Sequence, residues 1–258
     1  MLNYMKSEFY RIFHSKEIYV LTGIFTILLA TYNLGIYFCQ ALPNFQYANT
    51  WHTYGMVDTS MGVLIFIVII ICSTIDNTNL RNMKNTVAYG IDRKIVFLGR
   101  IITQSAVCLA MYLGLMGFHF GMGKLLLEDS GREASEMFIR STFVCIPMFL
   151  GVVVIYHCCI LWNKNAITAV SIMIVILMVV PKGMSLLAYK LPQFKKISDM
   201  LMYNLMQVQF VAKDTGGYLR VFTWDTTAGV IKCMIAGISA IVIFSIIGVR
   251  VLQKKEIR

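Results

Sequence analysis

Residues 76–100 read DNTNLRNMKNTVAYGIDRKIVFLGR, a basic stretch between two long apolar runs. It contains two aspartates and a larger number of basic residues, namely Arg81, Lys84, Arg93, Lys94 and Arg100. Short loops rich in Lys and Arg beside apolar spans stay on the cytoplasmic side of a membrane. The stretch therefore predicts a membrane protein with a cytoplasmic loop at residues 76–94, on which a cytoplasmic partner can act.

The composition of the chain also favours a membrane protein. Of its 258 residues, 58% are apolar and only 14% are charged, whereas about a quarter of the residues in a soluble domain are charged. The net charge of +10 does not require a nucleic acid, because Lys and Arg cluster beside the apolar runs, where anionic lipid headgroups attract them. We therefore expect a lipid bilayer, and no nucleic acid, as a partner.

Six apolar runs are predicted to be transmembrane helices. At 1.5 Å per residue each run can cross about 30 Å of hydrocarbon, and the second is the shortest. The runs are residues 18–40, 57–75, 95–120, 138–162, 166–187 and 228–252. We expect Pro181 to break the fifth span near its end. The predicted fold class is an all-α membrane protein that forms one domain over residues 1–258.

The segments outside the spans carry helical patterns of their own. In residues 1–17, apolar side chains recur on one helical face, which predicts an interfacial helix, the alternative being a solvated leader to the first span. Residues 182–227 have a similar pattern at Ile197, Leu201, Leu205 and Val208. This pattern predicts one or two amphipathic helices between the fifth and sixth spans.

The orientation of the spans follows from the basic residues. An even number of spans places both termini on the side of the 76–94 loop, and the first loop on the other side, residues 41–56, has no Lys or Arg. The positive-inside rule then predicts a multi-pass protein of the plasma membrane, with both termini cytoplasmic and residues 182–227 outside the cell.

Motifs of catalysis are missing from the sequence. It has no G-x-x-x-x-G-K-[ST] and no H-E-x-x-H motif, and its four histidines are scattered. We expect the seven cysteines and His157 to serve packing. Asp58 and Asp76 flank the second span, so no buried carboxylate for proton or sodium coupling is expected. The chain is therefore predicted to be neither an enzyme nor a metal protein.

Small residues recur along two of the spans. Gly117 and Gly121 form a GxxxG pattern at the end of the third span, and Gly229, Cys233 and Gly237 lie on one side of the sixth. Small residues allow close helix approach. Packing within the chain and a seam between two copies are the alternatives.

Four of these features together resemble a known family. They are the leader MKSEFYRIFHSK, the stretch LRNMKNTVAYGIDRKIVFLGRII, the long segment between the last two spans, and the tail VLQKKEIR. The chain resembles the six-span permease subunit of bacterial ABC-2 type ABC transporters. Within that family it is similar to the branch with lantibiotic-immunity and bacitracin-resistance permeases and phenol-soluble-modulin exporters. Many members have a Glu before the Lys-Asn pair, and this chain has only Asp76, at the end of the second span.

The resemblance implies a coupling helix in the cytoplasmic loop. Residues 78–89 would form it, Gly90 would end it, and it would dock on an ATP-binding subunit. The implied docking residues are Arg81, Asn82, Lys84, Asn85, Tyr89, Gly90 and Arg93. The alternative is that these charges serve only membrane orientation.

The resemblance also implies partners and a substrate path. Two ATP-binding subunits would bind and hydrolyse ATP with Mg²⁺, so this chain itself would hold no cofactor. A second copy, or a related permease, would complete a path lined by the first, second and fifth spans. The polar candidates along this path are Thr22, Thr26, Thr31, Asn33 and Ser171.

The expected function is therefore a permease subunit that exports amphipathic peptides from a bacterial cell. Its methionine-rich spans suit such substrates, because methionine adapts its shape to varied partners. The alternatives are export of a lipid-linked or other amphiphile, a peptide-sensing membrane protein without transport, and a membrane enzyme.

Overall fold

The computed structural model describes residues 1–76, 90–162, 166–212 and 218–254. Helices account for most of these residues. The longer helices are α1 (Leu2–Phe13), α2 (Lys16–Cys39), α3 (Thr50–Thr59), α4 (Met61–Asp76), α5 (Arg93–Leu126), α6 (Arg132–Trp162), α7 (Ala166–Ile174), α8 (Val180–Lys190) and α11 (Thr227–Lys254). Two short helices, α9 (Lys195–Ser198) and α10 (Met202–Leu205), precede an antiparallel hairpin of β1 (Gln209–Ala212) and β2 (Tyr218–Val221).

Within these described ranges, five helical stretches are long and apolar enough to cross a membrane: α2, α5, α6, Ile167–Lys190 and Thr227–Leu252. The pair α3–α4 makes a sixth if it counts as one span, although its two halves are bent by 61°. The structure is therefore that of a helical, multi-pass membrane protein. The second predicted span, residues 57–75, begins inside α3 rather than at the start of a straight helix.

Helix α3 was not expected in the loop of residues 41–56. The side chain of Asn49 caps it by accepting a hydrogen bond of 2.8 Å from the backbone N–H of His52. The loop after α5 fixes its position, because the N–H of Thr50 donates to the carbonyl of Glu128 at 3.0 Å. The N–H of Ser130 donates to the Thr50 hydroxyl at 2.9 Å. We call this end of the bundle, where α3 and the hairpin lie, the hairpin end.

Helix α6 is the centre of the bundle. Of its most apolar 18 residues, 83% are buried, against 11% for α2, 17% for Ile167–Lys190 and 22% for α11. A helix that is apolar on all sides gains most from burial on all sides. The fourth predicted span is therefore the core, and the first, fifth and sixth spans are peripheral.

Helix α11 packs closely on α6 through small residues. A Cβ atom on Gly237 would lie 2.4 Å from the backbone carbon of Pro147, so only glycine fits this contact. Cys233 on the same side of α11 is fully buried. Packing of this face within the chain is thus confirmed. By contrast, Cβ atoms on Gly117 and Gly121 would meet no described atom within 4 Å.

The break that we expected at Pro181, near the end of the fifth span, is absent. A π-helical turn at Val175–Val179 precedes this proline, and the helix continues to Lys190. Proline lacks the N–H that would pair with the carbonyl four residues earlier, and a π-turn absorbs this loss without a break. The helix therefore continues past residue 187, the predicted end of the fifth span, to Lys190.

In the remainder of residues 182–227, the structure differs from the predicted amphipathic helices. Leu201 is extended between α9 and α10, so the apolar pattern from Ile197 to Val208 does not lie on one helix. The Asn204 side chain stabilises this break, since its amide donates to the carbonyls of Ser198 at 2.9 Å and Pro181 at 3.1 Å. The strands that follow were not predicted at all.

At the opposite end of the bundle, α1 packs against the beginning of α5. Ile12 is buried, and Gly99 leaves room for the ring of Tyr4, because a Cβ atom there would lie 2.7 Å from it. The predicted helix within residues 1–17 is present at Leu2–Phe13. This end, where α5 begins, is called the Arg93 end.

Candidate functional site

Two cavities meet at α3, and together they form the candidate site. The apolar groove has a volume of about 330 Å³ and lies between α2, α3, α4, α5 and Phe149 of α6. The vestibule has about 780 Å³ and lies at the hairpin end, between α3, the start of α6 and β2. Volumes of this size are typical of pockets that bind small molecules.

The apolar groove has few polar groups, and most of them are bonded within the chain. The Tyr112 hydroxyl donates to the carbonyl of Thr142 at 3.0 Å, and the Ser60 hydroxyl donates to the carbonyl of Met56 at 2.9 Å. The Tyr32 hydroxyl is buried and has no hydrogen-bond partner among the described residues. Leu28, on the groove wall, is 59% exposed, so the groove opens sideways beside α2.

The vestibule carries charges of both signs and several aromatic rings. Its carboxylates are Glu133, Glu136 and Asp225, and its guanidinium groups are Arg140 and Arg220. One oxygen of Asp225 is already bonded within the chain, because its Oδ2 accepts a hydrogen bond of 2.7 Å from the Phe222 N–H. The vestibule is thus polar where the groove is apolar.

Arg220 lies where the two cavities join. Its side chain crosses from β2 to α3, where Gly55 lines the vestibule and Met56 lines the groove. Its Nη2 is 3.9 Å from the Met56 sulfur, and a Cβ atom on Gly55 would lie 3.2 Å from its Nη1. His52 lines the vestibule beside it, and Tyr32 lines the groove on the side of Met56. Because Gly55 has no side chain, the Arg220 guanidinium can contact the last turns of α3 directly.

A buried carboxylate, which the sequence was not expected to contain, also lies on α3. Asp58 is fully buried, and the Ser141 hydroxyl donates to its Oδ1 at 2.5 Å. Its Oδ2 has no hydrogen-bond partner in the part of the chain that is described. Asp58 was placed at the flank of the second span, and the bend between α3 and α4 turns it into the bundle instead.

Asn33 is engaged inside the bundle of this chain. It is fully buried, its side-chain nitrogen donates to the carbonyl of Leu29 at 2.7 Å, and it lies 3.0 Å from Nδ1 of His119. His157 is likewise engaged in its own helix, with Nδ1 2.8 Å from the carbonyl oxygen of Val153. The packing role predicted for His157 agrees with this contact.

The other candidate path residues are not brought together. The hydroxyls of Thr22 and Thr26 donate to carbonyls one turn earlier in α2, at 2.7 and 2.8 Å. Thr31 on α2 and Ser171 on α7 are exposed on the outside of the bundle. None of the five candidates is among the described residues that line the groove.

Most of the predicted docking residues lie outside the described residues, namely Arg81, Asn82, Lys84, Asn85 and Tyr89. Gly90 has φ +84°, a left-handed conformation that glycine adopts more readily than other residues. Residues that follow the end of a helix often have this conformation, and Gly90 was expected to end the coupling helix. Arg93 is the first residue of α5, and Asp92 caps that helix by accepting from the Lys94 N–H at 2.9 Å.

Three residues of the candidate site were missed or misjudged from sequence. Arg220 is the single charge in the alternating stretch YLRVF, and Asp58 is the single charge in MVDTSMGVL. An isolated charge in an apolar stretch is a signal that a polar partner or a ligand is nearby. Tyr32 gave no such signal, because a tyrosine near the end of a span is ordinary.

Among the described residues, no group of three His, Cys, Asp or Glu side chains is arranged to hold a metal ion. A comparison with protein-family models and with curated proteins finds no match to this chain.

Proposed function

We propose that this chain is the permease subunit of an ATP-driven exporter of amphipathic peptides in a bacterial plasma membrane. Both termini and the 76–94 loop are on the cytoplasmic side. Two ATP-binding subunits dock on these loops and hydrolyse ATP with Mg²⁺, and two permeases, identical or related, enclose the path.

The observation that carries this proposal is the position of polar groups on the peripheral spans. Thr31 on α2 and Ser171 on α7 are exposed, although both belong to largely apolar spans that are barely buried. A polar group gains nothing by facing hydrocarbon. A second permease against these spans gives both residues a polar path and covers apolar surface of both helices.

The energy for transport must come from a partner protein. The sequence has no nucleotide-binding loop, and its basic loop at residues 76–94 is the segment best suited to receive an ATPase. Arg81 and Lys84 are three residues apart and would share one face of a helix. The left-handed Gly90 and the capped start of α5 connect this loop directly to the third span.

The first experiment is affinity purification of the tagged chain in mild detergent, with mass spectrometry of the bound proteins. We expect an ATP-binding subunit in about equal amount. The double variant Arg81→Glu/Lys84→Glu should lose this subunit while still inserting into the membrane. The matched control, Lys195→Glu/Lys196→Glu, reverses two charges in the 182–227 segment and should keep it. Normal recovery with the first variant would remove the docking proposal.

A second candidate function is export of a lipid-linked or other amphiphile. The apolar groove favours it, because its sideways opening at Leu28 admits a molecule from the bilayer. Reconstituted vesicles distinguish the two functions. ATP-dependent movement of a fluorescent amphipathic peptide supports the first, and movement of a fluorescent lipid without the peptide supports the second.

A further inference from the structure

We propose that the apolar groove and Arg220 form a phospholipid site, in which the groove takes one acyl chain and the guanidinium holds the phosphate. The lipid comes from the leaflet at the hairpin end. This site goes beyond the proposed function, since it requires neither a transported peptide nor an ATPase.

The polar groups at the join of the two cavities favour an anion. Arg220 is a cation, and it has no carboxylate within 4.0 Å among the described residues. The buried Tyr32 hydroxyl lines the same groove as Met56, which Arg220 contacts, and it lacks a hydrogen-bond partner among the described residues. A cation without a carboxylate partner and a hydroxyl without an acceptor form a site for the oxygens of a phosphate.

Two other basic groups at the hairpin end, Lys124 and Arg132, differ from Arg220 in this respect. Lys124 is paired with Asp129 at 2.7 Å, and this hydrogen bond lowers the pKa of the Asp129 carboxyl below its usual value. Arg132 is paired with Glu136 at 2.5 Å. Arg220 instead lies against the Met56 sulfur, which is a weak acceptor and leaves the charge available.

The groove fits an acyl chain better than a peptide. An extended peptide in it would bury backbone N–H and C=O groups, and the Ser60 and Tyr112 hydroxyls already donate within the chain. A helical peptide satisfies its own backbone, but its width of about 10 Å requires a wider groove than a single chain of methylenes does. An acyl chain has no polar groups to satisfy and is thinner than a helix.

The opening of the groove gives the lipid a way in. Leu28 lines the groove and is exposed, and α2 as a whole is barely buried. A chain can therefore enter sideways from the bilayer while its headgroup stays at the hairpin end, beside Arg220. The apolar groove thus matches the acyl chain of a phospholipid, and Arg220, at the end of the groove, matches its phosphate.

The test is photolabelling of the purified chain, without any partner, in a neutral maltoside detergent. The probe is a phosphatidylglycerol with a photoreactive group in one acyl chain, and labelled peptides are identified by mass spectrometry. We expect labels on α2 and α4 at groove residues. Unlabelled phosphatidylglycerol should compete, whereas inorganic phosphate and an amphipathic peptide at the same concentration should not.

Two pairs of variants decide the outcome. Arg220→Gln should reduce labelling about tenfold, as loss of one charge-assisted contact implies, and Arg140→Gln, a second arginine of the vestibule, should not. Leu28→Trp should block the groove, whereas Ile27→Trp, its exposed neighbour outside the groove, should label normally. Monodisperse elution confirms that each variant is folded.

Unchanged labelling of both Arg220→Gln and Leu28→Trp would overturn the proposal, as would labels that map outside the groove. Equal competition by the peptide would assign the groove to a peptide instead. If Arg220→Gln fails to fold, Leu28→Trp alone decides. Because no ATPase is present, none of these results depends on the proposed transport function.

Discussion

At the scale of single residues, the bundle owes its specificity to a few buried polar contacts. The bond from Ser141 to Asp58 joins α6 to α3, and the contact between Asn33 and His119 joins α2 to α5. A buried polar group that loses its partner keeps its desolvation cost and loses the bond. These contacts therefore fix which helix faces meet, in a bundle whose other contacts are largely apolar.

The Asp58–Ser141 bond gives a prediction about stability. Ser141→Ala should lower the free energy of unfolding by about 1–3 kcal/mol, because the Asp58 carboxyl is left without this donor in the interior. The control is Ser171→Ala, which removes an exposed hydroxyl bonded only within its own helix and should change the free energy by less than about 0.5 kcal/mol. Thermal unfolding in detergent, followed by intrinsic fluorescence, measures both. Equal midpoints for the two variants would contradict the structural role of Asp58.

The Asn33–His119 pair predicts coupling between the first and third spans. A double-mutant cycle with Asn33→Leu and His119→Leu should give a coupling energy of about 0.5–2 kcal/mol. The same unfolding assay measures it. Strictly additive effects would show that the 3.0 Å contact does not stabilise the bundle.

At the scale of elements, glycines differ in what surrounds them. Substitutions of different glycines should therefore differ in their effect on stability. Gly237 on α11 touches the backbone of α6 at Pro147, whereas Gly117 on α5 has open space within 4 Å of its Cβ position in the described structure. The first is a helix contact and the second is a free face. Both positions look alike in the sequence, as small residues in apolar spans.

Substitution of these two glycines by leucine tests this difference. Gly237→Leu should separate α11 from α6 and destabilise the protein by about 2 kcal/mol or more, since backbone atoms cannot move aside as a flexible side chain does. Gly117→Leu should fold normally. Expression level and elution profile in detergent report on both. If Gly117→Leu folds but loses association between copies, that face is a seam between permeases.

At the scale of the whole molecule, membrane topology is the main prediction. Cysteines introduced at Asn85 and Gly216, in a background without reactive native cysteines, should react from opposite sides of intact cells. The reason is that three spans, an odd number, lie between the two segments, namely α5, α6 and Ile167–Lys190. A membrane-impermeant maleimide measures the reaction. Labelling of both positions from the same side would contradict six spans.

Assembly gives a second prediction at this scale. Cysteines at Thr31 and Ser171 should form cross-links between two permease copies if a path runs between the peripheral spans. Leu125, which is 83% exposed at the end of α5, is the control position and should cross-link much less. Gel mobility under non-reducing conditions measures this, and equal cross-linking at all three positions would indicate random collision.

The sequence by itself determined what depends on local composition and on chain length. Runs of about 20 apolar residues must cross a membrane as helices, because backbone groups cannot stay unpaired in hydrocarbon. The sequence therefore predicted the apolar helices and the helix at Leu2–Phe13, although α5 and α6 extend beyond the predicted spans and the second span is bent. It also indicated the small-residue face of α11, since close packing needs side chains without bulk.

Tertiary structure decided which of these pieces meet. The central position of α6, the bend that buries Asp58, and the crossing of Arg220 to Gly55 all join residues that are far apart in sequence. Apolar spans look alike in a sequence, because any of their faces can pack against a helix or against lipid. Only the assembled bundle shows which faces enclose the groove, and why none of the polar residues chosen from sequence lines it.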